Sequence, residues 1–440
     1  MRILQILPVL AFAFSAQFLH AGKWDEVLGK AQGTTPPGSD EEVYWQPDVL
    51  KALAEAQESN KPVLVTWRCL PCKQCSIFDK DVLEGGPELT PLLQQFVTVR
   101  MTDAAQLDER IFPYRDFQDL DLSWWGYFLS PKGEVYGVFG GKDHVSDATR
   151  ISGAAFINSL KRVLVHHYDP RRADWKIDGT VPNLSEDAVG PKDIEAFEVY
   201  AENRPWMAKQ ECVHCHQVGD LVHVESMELG TFERAQLTQR WPLPENVGIV
   251  VDRDDGLLVT EVEAGSAAAA AGIKEGDRLG MAGGRRLFGQ ADFRGVLHRA
   301  SYGPDTIAVG WTRNGEPMFG ELKTGDGWRV TENSWRKSVY EGVIGPHLGF
   351  FPIKGPNQGK GSMSFKPFMG PGPKQKANAW YPSGLRPNME IVEVNGKSDD
   401  WDSRQFLAWF RLNHEVGDEV RIKVKGGKVF SKVLEKMHNQ

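Results

Sequence analysis

Hydrophobic and polar positions divide the 440 residues into regions with different periods. From Gln46 to Asn60 the pattern has helical spacing, with Val49, Leu50, Leu53 and Ala54 read onto one face. Lys61-Pro62 ends that helix, and Val63-Leu64-Val65-Thr66-Trp67 reads as a buried strand. A helix through about Leu83, another over Leu89–Phe96 and a strand over Val97–Met101 follow. Tyr127–Leu129 and Val135–Phe139 predict a hairpin turning at Pro131-Lys132-Gly133, and Phe156–His167 predicts a helix. Residues 171–192 carry prolines that prevent a long helix and read as a linker. Asp193–Gln210 is helical in pattern, interrupted near Pro205, and a second helical stretch is expected over about Met227–Arg240. Beyond Trp241 the text turns to short strands and glycine turns. The fold class expected is therefore multidomain: α/β, then a small α segment, then β-rich.

The N-terminus changes the picture of where the chain works. Arg2 precedes an apolar run from Ile3 to Phe18, and small residues at Ala16 and Ala21 offer cleavage points. Residues 1–21 read as a secretory signal peptide, which predicts a periplasmic or secreted protein. No later stretch is long and apolar enough to span a bilayer, so no membrane span is expected in the mature chain. The net charge of −8 gives no footprint for nucleic acid. No phosphate loop, H-E-x-x-H or nucleophile-elbow pattern is found.

The five cysteines form two clusters, Cys69/Cys72/Cys75 and Cys212/Cys215. A disulfide framework would spread them along the chain, so clustering points to two chemical sites. In Arg68-Cys69-Leu70-Pro71-Cys72-Lys73-Gln74-Cys75, Cys69 follows a strand and Cys72 begins a helix. The helix N-terminus and the flanking cations favour thiolate, which makes the pair reactive. Cys75 lies one helical turn beyond Cys72, on its face. Three thiols within seven residues also suit a soft metal such as Cu(I) or zinc, and a structural disulfide is the plainest alternative.

The helix-KPVLV entry, the Trp before a C-x-P-C-K site and the late SPKGEV hairpin resemble a thioredoxin-fold domain over about residues 45–170. That resemblance implies thiol–disulfide exchange, with Cys69 attacking and Cys72 resolving. It also marks departures. Trp125 stands where the family has a cis-proline, and Val63 where it has a buried acid.

Cys212-Val213-His214-Cys215-His216 has the C-x-x-C-H spacing of covalent c-type haem attachment in an exported chain. Thioethers would form at Cys212 and Cys215, with His216 as proximal iron ligand and Met227 or His223 as distal candidates. Zinc on Cys212, Cys215, His216 and His214 or His223, or a local disulfide, are the other readings. Residues 190–242 thus resemble a very small c-type cytochrome module. Phe197, Tyr200, Trp206, Leu221, Leu229 and Phe232 are expected to supply its apolar cover.

Ala264-Gly265-Ser266, five alanines, Gly272-Ile273 and Gly276-Asp277 sit between a strand pair and a further strand. This resembles the bacterial PDZ signature and defines a first PDZ-like domain over 243–325. A Trp-rich linker at 326–340 precedes a second copy over 341–437, with Pro382-Ser383-Gly384-Leu385 to Asn395-Gly396-Lys397 repeating the plan. Between its first two strands, residues 354–378 read as a flexible basic insert. By resemblance, Val247-Gly248-Ile249 and Leu348-Gly349-Phe350 are the loops that receive a peptide C-terminus, beside groove helices at Phe293–Arg299 and Gln405–Asn413.

The expectation is an exported redox protein with a dithiol, a covalent haem c, a redox partner protein and PDZ-mediated binding of protein or peptide C-termini. A PDZ scaffold with a degenerate thioredoxin fold, and a cysteine-based metal-binding protein, are the alternatives.

Overall fold

The computed structural model of the chain describes residues 43–67, 88–117, 119–142, 152–195, 197–198, 213, 215–340, 346–370 and 378–434. The first domain opens with β1 (Trp45–Gln46), α1 (Val49–Ser59) and β2 (Val63–Trp67). Asp48 caps α1 by accepting from the Leu50 and Lys51 amides, and Asn60 ends it in the left-handed region at φ 51°. The buried face is Val49, Ala52, Leu53 and Ala56, while Leu50 is exposed. This corrects the expected face: 49, 52, 53 and 56 follow the i, i+3, i+4, i+7 rule, and 50 does not.

Next come α2 (Leu89–Leu93), β3 (Val97–Met101), α3 (Tyr114–Phe117), β4 (Ser123–Leu129), β5 (Val135–Lys142), α4 (Gly153–Tyr168) and α5 (Arg172–Trp175). The strands form one sheet ordered β1-β3-β2-β4-β5. β2 is parallel to β3 and antiparallel to β4. All five β2 residues are buried, as a central strand covered on both faces requires. β4 starts at Ser123, four residues before the expected Tyr127, because both tryptophans enter the sheet. Trp125 joins the core on one face and Trp124 the core on the other.

α6 (Cys215–Glu228) follows. It overturns the expected helix at Met227–Arg240: the helix starts twelve residues earlier and ends where that one was to begin. Gly230 at φ 68° breaks it, and only a 3-10 turn, Arg234–Thr238, follows. Val213, Val218 and Leu221 pack into the same core as Trp67 and Trp125. The segment is thus built into the first domain rather than standing as a module of its own.

The third region contains β6 (Ile249–Val251), β7 (Val259–Val262), α7 (Ala267–Ala271), β8 (Arg278–Ala282), β9 (Arg285–Arg286), α8 (Gln290–Arg299), β10 (Thr306–Arg313) and β11 (Glu316–Lys323). Ser266 caps the alanine helix at its start, and Gly272 at φ 89° closes it. β11-β10-β8-β9 form one sheet and β6-β7 a small second one. After α9 (Lys337–Tyr340), the last region holds β12 (Phe351–Lys354), β13 (Phe365–Phe368), β14 (Ile391–Val394), α10 (Ser403–Asn413), β15 (Glu419–Val424) and β16 (Val429–Val433). These strands make one five-stranded sheet in sequence order.

Two expectations fail here. Residues 354–378 are not all insert, since Phe365–Phe368 pairs with Phe351–Lys354 in full antiparallel register. Residues 326–340 are not a free linker either: Arg329, Trp335, Arg336 and Val339 are buried between domains. Val339 packs with Leu237 and Ala408, tying the stretch after α6 to the last domain.

Candidate functional site

Cys69, Cys72, Cys75 and Cys212 lie outside the described residues, and of Cys215 and His216 only the helical backbone of α6 is described. The residues leading to them are well placed. β2 ends at Trp67, two residues before Cys69, and Trp67 pairs with Met101 of β3 and Trp125 of β4. Its indole meets Phe112 and Tyr127 edge-on, with ring centroids at 4.3 and 5.6 Å. Just past Met101, the Asp103 Oδ1 accepts from the Ala105 amide at 2.9 Å and caps a 3-10 turn.

The same oxygen accepts from the amide of Val213 at 3.0 Å. The Ala104 amide in turn donates to the Val213 carbonyl at 3.2 Å. Val213 stands between the two cysteines of the C-x-x-C-H motif. The second cysteine motif is therefore tied, through its own backbone, to the end of the sheet from which the first motif leaves.

α6 then runs along the domain. Gly219 lets it lie against Leu120, where an added Cβ would come within 3.2 Å of the Leu120 Cβ. His223 is buried, its Nε2 facing the Arg240 guanidinium. A guanidinium only donates, so the imidazole proton sits on Nδ1, which has no partner among the described residues. Burial, then the Arg240 charge, holds His223 well below the usual histidine range, so the ring is neutral. Met227 is exposed in the last turn of the helix.

This placement argues against both distal-ligand candidates. His223 and Met227 lie seven and eleven residues after His216 on one continuous helix, about 10 and 16 Å along its axis. Were His216 to hold a haem, neither residue could serve as its second ligand from the same continuous helix. The expected apolar cover does not gather either. Leu221 and Phe197 belong to the first domain's core, Phe232 packs beside Leu237 and Val339, and Leu229 is exposed; Tyr200 and Trp206 lie outside the described residues. The donor set of two thiols and one imidazole fits covalent attachment and proximal ligation of a haem, and a haem held there would take any second ligand from outside α6. Among the described residues, no group of three His, Cys, Asp or Glu is placed to hold a metal ion.

The sequence reading missed a buried ionic cluster joining three regions. Asp119 accepts from Arg294 of α8 at 2.6 Å and from Arg336 at 2.8 and 3.1 Å. Asp121 accepts from Arg336 at 3.0 Å and from the amide and hydroxyl of Ser338. Burial pushes the Asp119 carboxyl up, but the two guanidiniums outweigh it and hold it below the usual range. No local motif marks these residues; their partners lie 175 to 217 positions away.

Both expected peptide loops carry a glycine in the left-handed region, Gly248 at φ 82° and Gly349 at φ 87°. Val247, Ile249, Leu348 and Phe350 are buried. The Gly248 amide donates to the Glu245 carbonyl at 2.9 Å. In the last domain the Leu348 and Gly349 carbonyls accept from the Trp380 indole and the Asn378 side chain, each at 2.6 Å.

Residues 44–121 match the family model described as thioredoxin-like, and residues 247–324 match that of the PDZ domain. The chain has an N-terminal thioredoxin-like domain and a C-terminal PDZ domain. No curated protein matches the chain. The thioredoxin-like match ends just after Asp119, so it takes in the Asp103 turn that holds Val213 but not α6. The PDZ match spans the Gly248 loop, the alanine helix and α8. A redox-related protein that binds other proteins is the coarse description these two domains support, and a PDZ domain supports peptide binding. No helix among the described residues is long and apolar enough to cross a membrane.

Proposed function

We propose that the chain is an exported thiol-redox protein. In this reading Cys69 and Cys72 exchange disulfides with a partner, Cys212, Cys215 and His216 hold a covalent haem c, and the PDZ region engages partner peptides. The Cys69 thiolate attacks the partner's disulfide, forming a mixed disulfide and releasing one partner thiolate. The Cys72 thiolate then attacks the Cys69 sulfur, closing the Cys69–Cys72 disulfide and releasing the second partner thiol, so two electrons pass to the partner. A haem held at the second motif supplies a one-electron centre.

The observation that carries this reading is the pair of hydrogen bonds between Val213 and Asp103–Ala104. It ties Val213, within the C-x-x-C-H motif, to the end of the sheet where β2 reaches Trp67, two residues before Cys69 in the sequence. The burial of Trp67, Trp125 and Tyr127 behind that end gives it a rigid base.

The test is a pyridine haemochrome spectrum with intact mass, on protein exported in a host equipped for c-type maturation, beside a Cys212→Ala/Cys215→Ala control. A c-type spectrum and one haem of added mass, both lost in the control, are expected. Colourless protein at apo mass returns the motif to zinc or a disulfide. For the dithiol, reduced protein is expected to reduce a model disulfide, and Cys69→Ala to abolish this. Equal activity of wild type and Cys69→Ala would remove the thiol chemistry from this domain.

A further inference from the structure

PDZ domains take an extended peptide beside a groove helix, and the proposal below rests on residues 247–324 being such a domain. In this chain the groove helix α8 is packed on three sides, with Arg299 exposed at its end. Phe293, Val296 and Leu297 enter the PDZ core. A second side faces the thioredoxin-like domain: the Val138 amide of β5 donates to Asp292 Oδ1 at 2.7 Å, and Arg299 donates to the Asp116 carbonyl at 2.8 Å. The third side carries Arg294 and His298 and looks toward Pro244–Val247, the turn that leads through Gly248 into β6. That is the side from which a peptide would enter.

Trp241 occupies it. Its indole stacks on the His298 imidazole with ring centroids 4.2 Å apart and planes 12° from parallel. The Trp241 carbonyl lies between two buried guanidiniums, accepting from Arg336 at 3.2 Å and from Arg294 at 3.5 Å. Trp241 is only 5% exposed and holds a backbone φ of 48°, a region that bulky residues rarely adopt. Conformations of this kind persist where the surroundings impose them. Arg329 closes the far end of the helix by donating to the Ala300 and His298 carbonyls. Meanwhile the Gly248 amide, at the expected carboxylate loop, is engaged by Glu245 within the chain.

The chemistry of the occupant defines the chemistry of what can replace it. His298 is half-buried beside Arg329 and Arg240; desolvation first and those charges second keep the ring neutral, and it receives the Trp241 aromatic face. Arg294 and Arg336 already pair with Asp119 and also donate to this one main-chain carbonyl, where a carboxylate would make charge-assisted bonds in competition with Asp119.

We propose that Trp241 is the resident ligand of the first PDZ groove. The groove accepts a partner peptide ending in an aromatic residue, which displaces Trp241, stacks on His298 and sets its C-terminal carboxylate between Arg294 and Arg336.

The test uses the full chain and a fluorescein-labelled peptide ending in Ala-Trp with a free carboxylate, followed by anisotropy. Trp241→Ala, checked by far-UV circular dichroism, is expected to bind at least about tenfold more tightly than wild type, since a competing intrachain ligand is gone. Amidating the peptide or adding His298→Ala is expected to undo that gain. Equal affinity of wild type and Trp241→Ala overturns the resident-ligand inference and leaves the peptide-binding reading standing. Failure of folded Trp241→Ala to bind this peptide, or any member of a pool of varied C-termini, overturns the peptide-binding reading itself. Should Trp241→Ala not fold, hydrogen exchange on the wild type decides. Saturating peptide is expected to speed exchange over residues 238–247, and unchanged protection there overturns the inference.

Discussion

Asp119 is where the thioredoxin-like domain, the PDZ helix and the inter-repeat segment converge. It is 4% exposed and carries two guanidiniums of similar burial. Such a cluster is weak evidence for net stability, but removing one member strands the others. Asp119→Ala leaves Arg294 without its carboxylate and Arg336 with Asp121 alone. It is expected to cost about 3–5 kcal/mol in chemical unfolding. An Arg294→Met/Arg336→Met/Asp119→Leu triple variant is expected to recover much of that loss, because the buried charges are removed together. A second residue-scale prediction concerns Asp292. Burial raises its carboxyl to about 6, against the pull of the Val138, Phe288 and Gly289 amides that donate to it. A raised carboxyl means the native state holds its proton where the unfolded chain has lost it. Its contribution to stability therefore falls as pH rises from about 4 to about 6. Asp292→Asn is expected to flatten that component in a pH series of unfolding midpoints. None of these roles is legible locally. The cysteines stand out because their spacing encodes their chemistry; Asp119 and Asp292 acquire theirs from residues far away in the chain.

Among the elements, α6 is the decisive piece. It carries Val213, within the C-x-x-C-H motif, and its own Val218 and Leu221 into the thioredoxin-like core. Its pattern is hard to read because Val218, Leu221 and His223 are buried on several sides, so no single apolar stripe forms. Leu221→Ala is expected to destabilise by about 2–5 kcal/mol through the cavity it leaves. It should also speed hydrogen exchange of the Val213 amide relative to amides in β3. Uniform loosening of both would mean that α6 does not position the motif separately. In the last domain, Ser403 donates to the Pro352 carbonyl at 2.5 Å and Arg411 hydrogen-bonds His347 at 2.9 Å, so helix α10 is bonded directly to the edge strand and its approach. Pro352 also lacks an amide for an added strand. The repeated sequence plan predicts two equivalent grooves, but their walls are engaged in different ways.

Across the whole molecule, buried and half-buried histidines are held below their usual range. Burial and the Arg329 charge take His298 to about 3, and burial and the Arg411 charge take His347 to about 4. His166, His167 and His223 are also held below the usual range, first by burial. A lowered histidine binds its proton in the unfolded chain before the native one. Stability is therefore lost as pH falls from about 6.5 toward 4, opposing the effect of Asp292. A lower melting temperature at pH 5 than at pH 7 is expected, and His298→Gln/His347→Gln should narrow the gap. With charge clusters, α8 and residues 326–340 shared between domains, unfolding is expected to show one main calorimetric transition. Well-separated transitions would mean that the domains are held only loosely.

Short-range physics alone settled helix α1, strands β2 and β3, the β4–β5 hairpin and helix α4 of the first domain, the alanine-helix plan of the PDZ domain and the two cysteine motifs. Periodicity, capping, glycine turns and thiol spacing are all written within a few residues of one another. The long-range pairings were settled elsewhere: that Val213 meets Asp103, that α6 packs into the core of the first domain, and that Trp241 stacks on His298 of α8. Those facts depend on contacts between segments far apart in the chain, where burial sets the strength of each charge and hydrogen bond, and no local pattern encodes that pairing.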